Sequence, residues 1–119
     1  MKNNPLLNYA EQLAVGIENL CKSLQQRDNS NTVLQIKKSS SSVFANITEV
    51  QYPQSLADML SKYKIARKEC AETESWLKVL YANHSIDEDT FKKQRNLCSR
   101  IQRLLTASCI TIEKKLETK

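Results

Sequence analysis

Apolar residues recur along this chain at alternating steps of three and four, the spacing that lines up one side of an α-helix. The first stripe runs Leu6, Ala10, Leu13, Ile17, Leu20 and Leu24. Arg27-Asp28-Asn29-Ser30 interrupts it with turn and capping residues. The second stripe is Val33, Ile36, Ser40, Val43, Ile47 and Val50. It stops before Tyr52-Pro53, where the proline ring disfavours helical geometry at Tyr52. Pro53 itself suits the first turn of a new helix. The third stripe reads Leu56, Met59, Tyr63, Ala66, Cys70, Thr73, Leu77 and Leu80, and closes at Asn83-His84-Ser85. Asp87 then fits an N-cap, with Glu88 and Asp89 suited to the positive end of the helix dipole. Ile86 and Phe91 are placed for a hydrophobic staple across that cap, a pairing the rival cap Ser85 does not offer. The fourth stripe continues through Gln94, Cys98, Ile101, Leu105, Ser108 and Ile112. The run Ser39-Ser40-Ser41-Ser42 keeps helical phase with its neighbours, so it reads as small side chains that let two helices approach closely. These stripes predict an all-α chain forming a single domain over 1–119. Its helices fall at about 6–26, 31–51, 54–83 and 88–117, in an up-down-up-down antiparallel four-helix bundle.

Composition removes most other classes. One Gly and two Pro in 119 residues are too few for the turns of an all-β protein, and they leave no GxGxxG and no P-loop. A lone histidine, His84, forbids a multi-His metal site within one chain. Cys21, Cys70, Cys98 and Cys109 form no CxxC pair and match no zinc spacing, so free, buried, reduced thiols are expected. No nucleophile–base or metal constellation is present, and the expectation is a non-enzyme without metal or cofactor. No apolar run nears the roughly 18 residues of a membrane span, and the start carries no signal-peptide core. A cytoplasmic protein without membrane association is expected.

Charge sharpens the picture. Eighteen Lys and Arg against thirteen Asp and Glu give +5. From Ser85 onward there are eight basic and five acidic residues, so most of the excess sits on the last helix. On a helical wheel Lys92, Lys93, Arg100, Arg103 and Lys114 share one arc opposite the core stripe. No acidic residue separates them between Asp89 and Glu113. No aromatic residue interleaves them, so contact with phosphates rather than base stacking is the expected mode. Ile65, Trp76 and Val79 form a second group, apolar but well off the core stripe of the third helix. They are the candidate oligomer interface.

Two stretches resemble a known family. Gln35-Ile36-Lys37-Lys38-Ser39-Ser40-Ser41-Ser42-Val43-Phe44-Ala45-Asn46-Ile47-Thr48-Glu49 is similar to the Q-I-R-R-S-x-x-S-I-x-x-N-I-x-E signature of four-helix-bundle proteins encoded in bacterial 23S rRNA intervening sequences. Ile65 to Leu77 resembles that family's second block, A-x-K-E-x-x-E-T-x-x-W-L. Val50 stands where the family often has Gly. The family includes the accessory variability determinant of diversity-generating retroelements. The resemblance implies a ring-like homopentamer with a basic surface that binds RNA or DNA and, in the retroelement branch, a reverse transcriptase.

The signature residues also have a direct physical reading. Asn46 and Glu49 share a helix face, and Glu69, Glu72 and Thr73 cluster on the third helix. Buried polar groups must be paired, so these five are expected to form a structural network that fixes helix register, with Lys37 and Lys38 as alternative partners. The leading functional expectation is a non-catalytic nucleic-acid-binding homo-oligomer. The alternative is a protein-interaction adaptor whose basic face is incidental.

Overall fold

Asn4 and Pro5 set the beginning of the fold. The Asn4 side chain accepts from the Leu7 backbone N–H (3.1 Å), and Pro5 supplies the first helical residue, where no N–H is needed. The computed structural model describes residues 4–24 and 31–118. It contains helices α1 Pro5–Leu24, α2 Asn31–Val50, α3 Leu56–Ala82 and α4 Glu88–Glu117, and no strand among the described residues. The expected continuation of the first helix to residue 26 and the break at Arg27 to Ser30 lie outside the described residues.

The helix ends follow local chemistry. Asp87 caps α4, accepting from Thr90 N at 2.7 Å, and Ile86 and Phe91 are both buried across that cap. This hydrogen bond, with the Thr90 hydroxyl, holds the Asp87 carboxyl below its ordinary value. Pro53 does not enter α3. Ser55 is the cap, accepting from Asp58 N at 3.0 Å, so the helix begins only at Leu56. At the far end of α3, His84 takes a left-handed conformation (φ 65°), and Ser85 N reaches back to Leu80 O at 2.9 Å. His84 N bonds Tyr81 O in the same turn, completing a Schellman motif with a non-glycine residue at its left-handed position.

Each helix packs on its neighbours in the chain, α4 closes on α1, and the diagonal pairs do not meet among the described residues. Joining residues rise in number on one helix as they fall on the next. Asn4 meets Gln51, Glu18 meets Lys37, and Cys21 meets the Val33 carbonyl. Between α3 and α4, Arg67 meets Gln102 and Cys70 meets Cys98. The stripes meet in one core containing Leu13, Ile17, Ile36, Ile47, Leu77, Leu80, Ile101 and Leu105. Two stripe positions shift from expectation. Cys21 rather than Leu20 is fully buried on α1, and Cys109 rather than Ser108 on α4. A strict alternation of three and four has a period of 3.5, whereas a straight helix turns every 3.6 residues, so a step of four replaces a step of three at Cys21 and at Cys109, while α2 buries every position of its expected stripe.

Ser39 and Ser40 are buried in helical register, as expected of small residues where helices approach. All four cysteines are free and buried. Burial pushes the Cys21 thiol up to about 11. A hydrogen bond with Cys70, and then burial, push Cys98 upward as well. Among the described residues no helix is long and apolar enough to cross a membrane.

Candidate nucleic-acid interface

The basic arc of α4 faces three different surroundings. Lys92 is exposed but paired with Glu88 one turn earlier, at 2.7 Å. That contact raises the lysine and lowers the carboxylate from their ordinary values. Lys93 and Arg100 turn toward α1. Lys93 lines a groove of about 350 Å³ with Glu11, Val15, Gly16 and Gln94, and Arg100 lies over the Tyr9 ring, 5.6 Å from its centroid. Arg103 and Lys114 are exposed, and neither meets a carboxylate among the described residues. Among the described residues, then, Arg103 and Lys114 are the members of the arc that stay exposed without a carboxylate partner. The Arg100–Tyr9 contact escapes a wheel drawn for α4 alone, because its aromatic partner comes from α1.

A second cationic surface was not legible from net charge. Lys64, Arg67 and Lys68 follow one another at helical spacing on α3 and line a groove of about 620 Å³ with Ala71, Gln102 and Thr106. Among the described residues none of the three forms a salt bridge. The segment's net charge is small because α3 also carries Asp58, Glu69, Glu72 and Glu74; of these, Glu69 and Glu72 line the opposite groove, with Gln35, Lys38 and Ser39 of α2. The readable signal is the spacing of Lys64, Arg67 and Lys68 on the side away from Glu69 and Glu72.

The expected polar network separates into smaller units. The Thr73 hydroxyl donates to Glu69 O at 2.9 Å and lies 2.8 Å from the Ser39 hydroxyl, buried between α2 and α3. Asn46 does not reach Glu69 or Glu72. Its amide donates to Ser42, to the carbonyl at 2.8 Å and the hydroxyl at 3.2 Å. Glu49 pairs with Lys62 at 3.4 Å, and Lys37 pairs with Glu18 of α1 at 3.5 Å. The register explains this. Thr73 sits opposite Ser39, and Asn46 lies seven residues, about 10 Å, farther along α2. Glu69 is held above the ordinary carboxylate value, first by burial and then by Glu72, against the pull of Lys68 and Lys38.

The off-core apolar group is also divided. Ile65 and Val79 are 42% and 41% exposed. Trp76 is half-buried and packs against the core of its own chain, so the exposed patch is smaller than the wheel of α3 suggests. No cluster of three or more metal-ligating side chains occurs among the described residues.

Comparisons with known proteins point in one direction. The family model for 23S rRNA-intervening sequence proteins matches residues 2–107. A crystal structure from Bacteroides thetaiotaomicron VPI-5482, of a protein of unknown function from the S23 ribosomal protein family, superposes with a TM-score of 0.83. It is 33% identical, and the match covers 87% of this chain and 97% of that one. No curated protein matches.

Proposed function

The chain belongs to the 23S rRNA-intervening sequence protein family, and we propose that it is a non-catalytic homo-oligomer that holds nucleic acid by its phosphates. The subunit in this reading is an up-down-up-down antiparallel bundle, which the residue pairs along each seam support. The family resemblance adds a ring of five subunits and, in the retroelement branch, a reverse transcriptase as protein partner. Exposed Ile65 and Val79 support association between copies.

The observation that carries the reading is the unpaired charge. A chain of +5 presents Arg103 and Lys114 outward, without carboxylate partners among the described residues. Repeated around an oligomer, such weak contacts add through effective concentration. Phosphates carry no base identity, so binding tolerates changes in sequence.

The test is a salt titration on fluorescent RNA and DNA oligomers. Wild type binds at low salt and weakens steeply toward moderate salt, because counterions are released on association. Arg100→Ala with Arg103→Ala lowers the slope of log affinity against log salt by about one per lost phosphate contact. Absence of binding to either oligomer at low salt overturns the reading. Light scattering gives more than one copy of the 13.6 kDa chain, and a monomer at micromolar concentration removes the oligomer. The adaptor reading has its own support. Lys92 is already paired with Glu88, and Arg100 is occupied on Tyr9, which leaves less of the α4 arc for phosphates.

A further inference from the structure

Three cations of α3 share one groove, whereas those of α4 are divided among a helix partner, an aromatic ring, the α1–α4 groove and open solvent. Lys64, Arg67 and Lys68 stand along one wall of the α3–α4 groove, with Ala71 beside them and Gln102 and Thr106 on the α4 side. The groove is held open in a fixed register. Gln102 Nε2 donates to the backbone oxygen of Arg67 at 2.9 Å, tying the two walls together without using the Arg67 side chain. Arg103, exposed and one residue beyond Gln102, extends the positive rim onto α4.

The dimensions fit a particular ligand. From Lys64 to Ala71 the helix rises about 10 Å at 1.5 Å per residue. The three cations occupy the first part of that length, Lys64 to Lys68, about 6 Å of rise, and their long side chains fan out so that each can meet one phosphate of a strand lying along the groove. Small Ala71 leaves room for a backbone to lie close, and the Thr106 hydroxyl can donate to a phosphate oxygen. No aromatic side chain lines the groove, so bases have no stacking platform and stay outside it.

Resting on the nucleic-acid reading above, we infer that the α3–α4 groove is the seat of the phosphodiester backbone, held by Lys64, Arg67 and Lys68. The outer arc of α4 is then a flank of the site. Contact made in this way is indifferent to base sequence.

Two variants that remove the same charge test the assignment. One carries Lys64→Ala, Arg67→Ala and Lys68→Ala, and the other Lys92→Ala, Lys93→Ala and Lys114→Ala. Both are titrated with salt against the same single-stranded and duplex oligomers as wild type, after a thermal melt establishes that each is folded. The groove variant loses about two from the salt slope on a single strand and nearer three on a duplex. The α4 variant loses less than half as much. A further substitution, Ala71→Glu, places a carboxylate in the groove at an exposed helical position without removing a cation, and it weakens binding while leaving the fold intact. Equal losses in the two triple variants show that only net charge matters and overturn the groove. So does an unchanged slope in the groove variant, or unchanged affinity in Ala71→Glu. Each of these leaves phosphate-directed binding standing, whereas a wild type that binds nothing at low salt removes that reading itself.

Discussion

The α2–α3 and α1–α4 seams of this bundle are joined by different means. Between α2 and α3, buried hydroxyls of Ser39 and Thr73 meet at 2.8 Å, and an ion pair from Glu49 to Lys62 closes the same seam farther along. Between α1 and α4, the chain's only glycine, Gly16, faces the amide end of Gln94 so closely that a Cβ there would lie 2.7 Å from its Nε2. Gln94 is 5% exposed, and its Oε1 has no hydrogen-bond partner among the described residues. The first seam is specified by paired polar groups and the second by fitted shape, with one acceptor left unmatched. A hydrogen-bonded seam resists both added volume and lost polarity. A shape-fitted seam beside a groove yields to added volume and gains from lost polarity.

The largest contrast comes from one enlargement made in each seam. Ser39→Leu forces a branched side chain between α2 and α3 and takes away one of the two partners of the Thr73 hydroxyl, costing about 3 kcal/mol in denaturant unfolding. Gly16→Leu costs about 1 kcal/mol, since the Gln94 amide can swing into the adjoining groove and the helix gains from losing a glycine. Equal costs erase the distinction between the seams.

Removing polarity gives effects of opposite sign. Thr73→Val takes away a buried hydroxyl whose neighbours are paired with it, and destabilises by about 1–2 kcal/mol. Gln94→Met removes an acceptor that has no partner and keeps the side-chain length, leaving stability unchanged or higher by up to about 1 kcal/mol. Thermal and urea midpoints of the two proteins therefore move apart. A loss for Gln94→Met comparable to that for Thr73→Val means that Oε1 is satisfied in solution.

The smallest effect depends on pH and tests the charged rim of the α2–α3 seam. The fold disfavours ionised Glu69, so the stability linked to this carboxyl is present below its ordinary value of 4.5. That stability is lost as pH rises through the raised value. Glu69→Gln consequently raises the melting midpoint at pH 7 and leaves it unchanged near pH 4. A lower midpoint at pH 7 shows instead that Lys38 and Lys68 hold the carboxylate in a favourable pair.

The helices were legible because each carries its own local instructions. Asp87 with Ile86 and Phe91 marks the start of α4 within a few residues, and the apolar stripes select the buried faces. Cys21 and Cys109 were missed in the stripes because a drift of one residue depends on true helical pitch. The partners of Asn46, Glu49 and Lys37 were not legible, since they depend on how far one helix slides along the next. The cationic groove on α3 was hidden by arithmetic. Glu69 and Glu72 offset its charge in the sum while facing the other way in space.

The four buried thiols also make the molecule a timekeeper of its own opening. Cys21 sits where α1 meets α2, Cys70 and Cys98 face each other across α3 and α4, and Cys109 lies toward the end of α4. A thiol held near 11 offers almost no thiolate at neutral pH while it stays buried. Because all four are buried, an alkylating reagent in the solvent marks each cysteine only when its part of the bundle parts from the rest. The order in which the four positions acquire the label would record the sequence of helix separations, with no probe added to the chain.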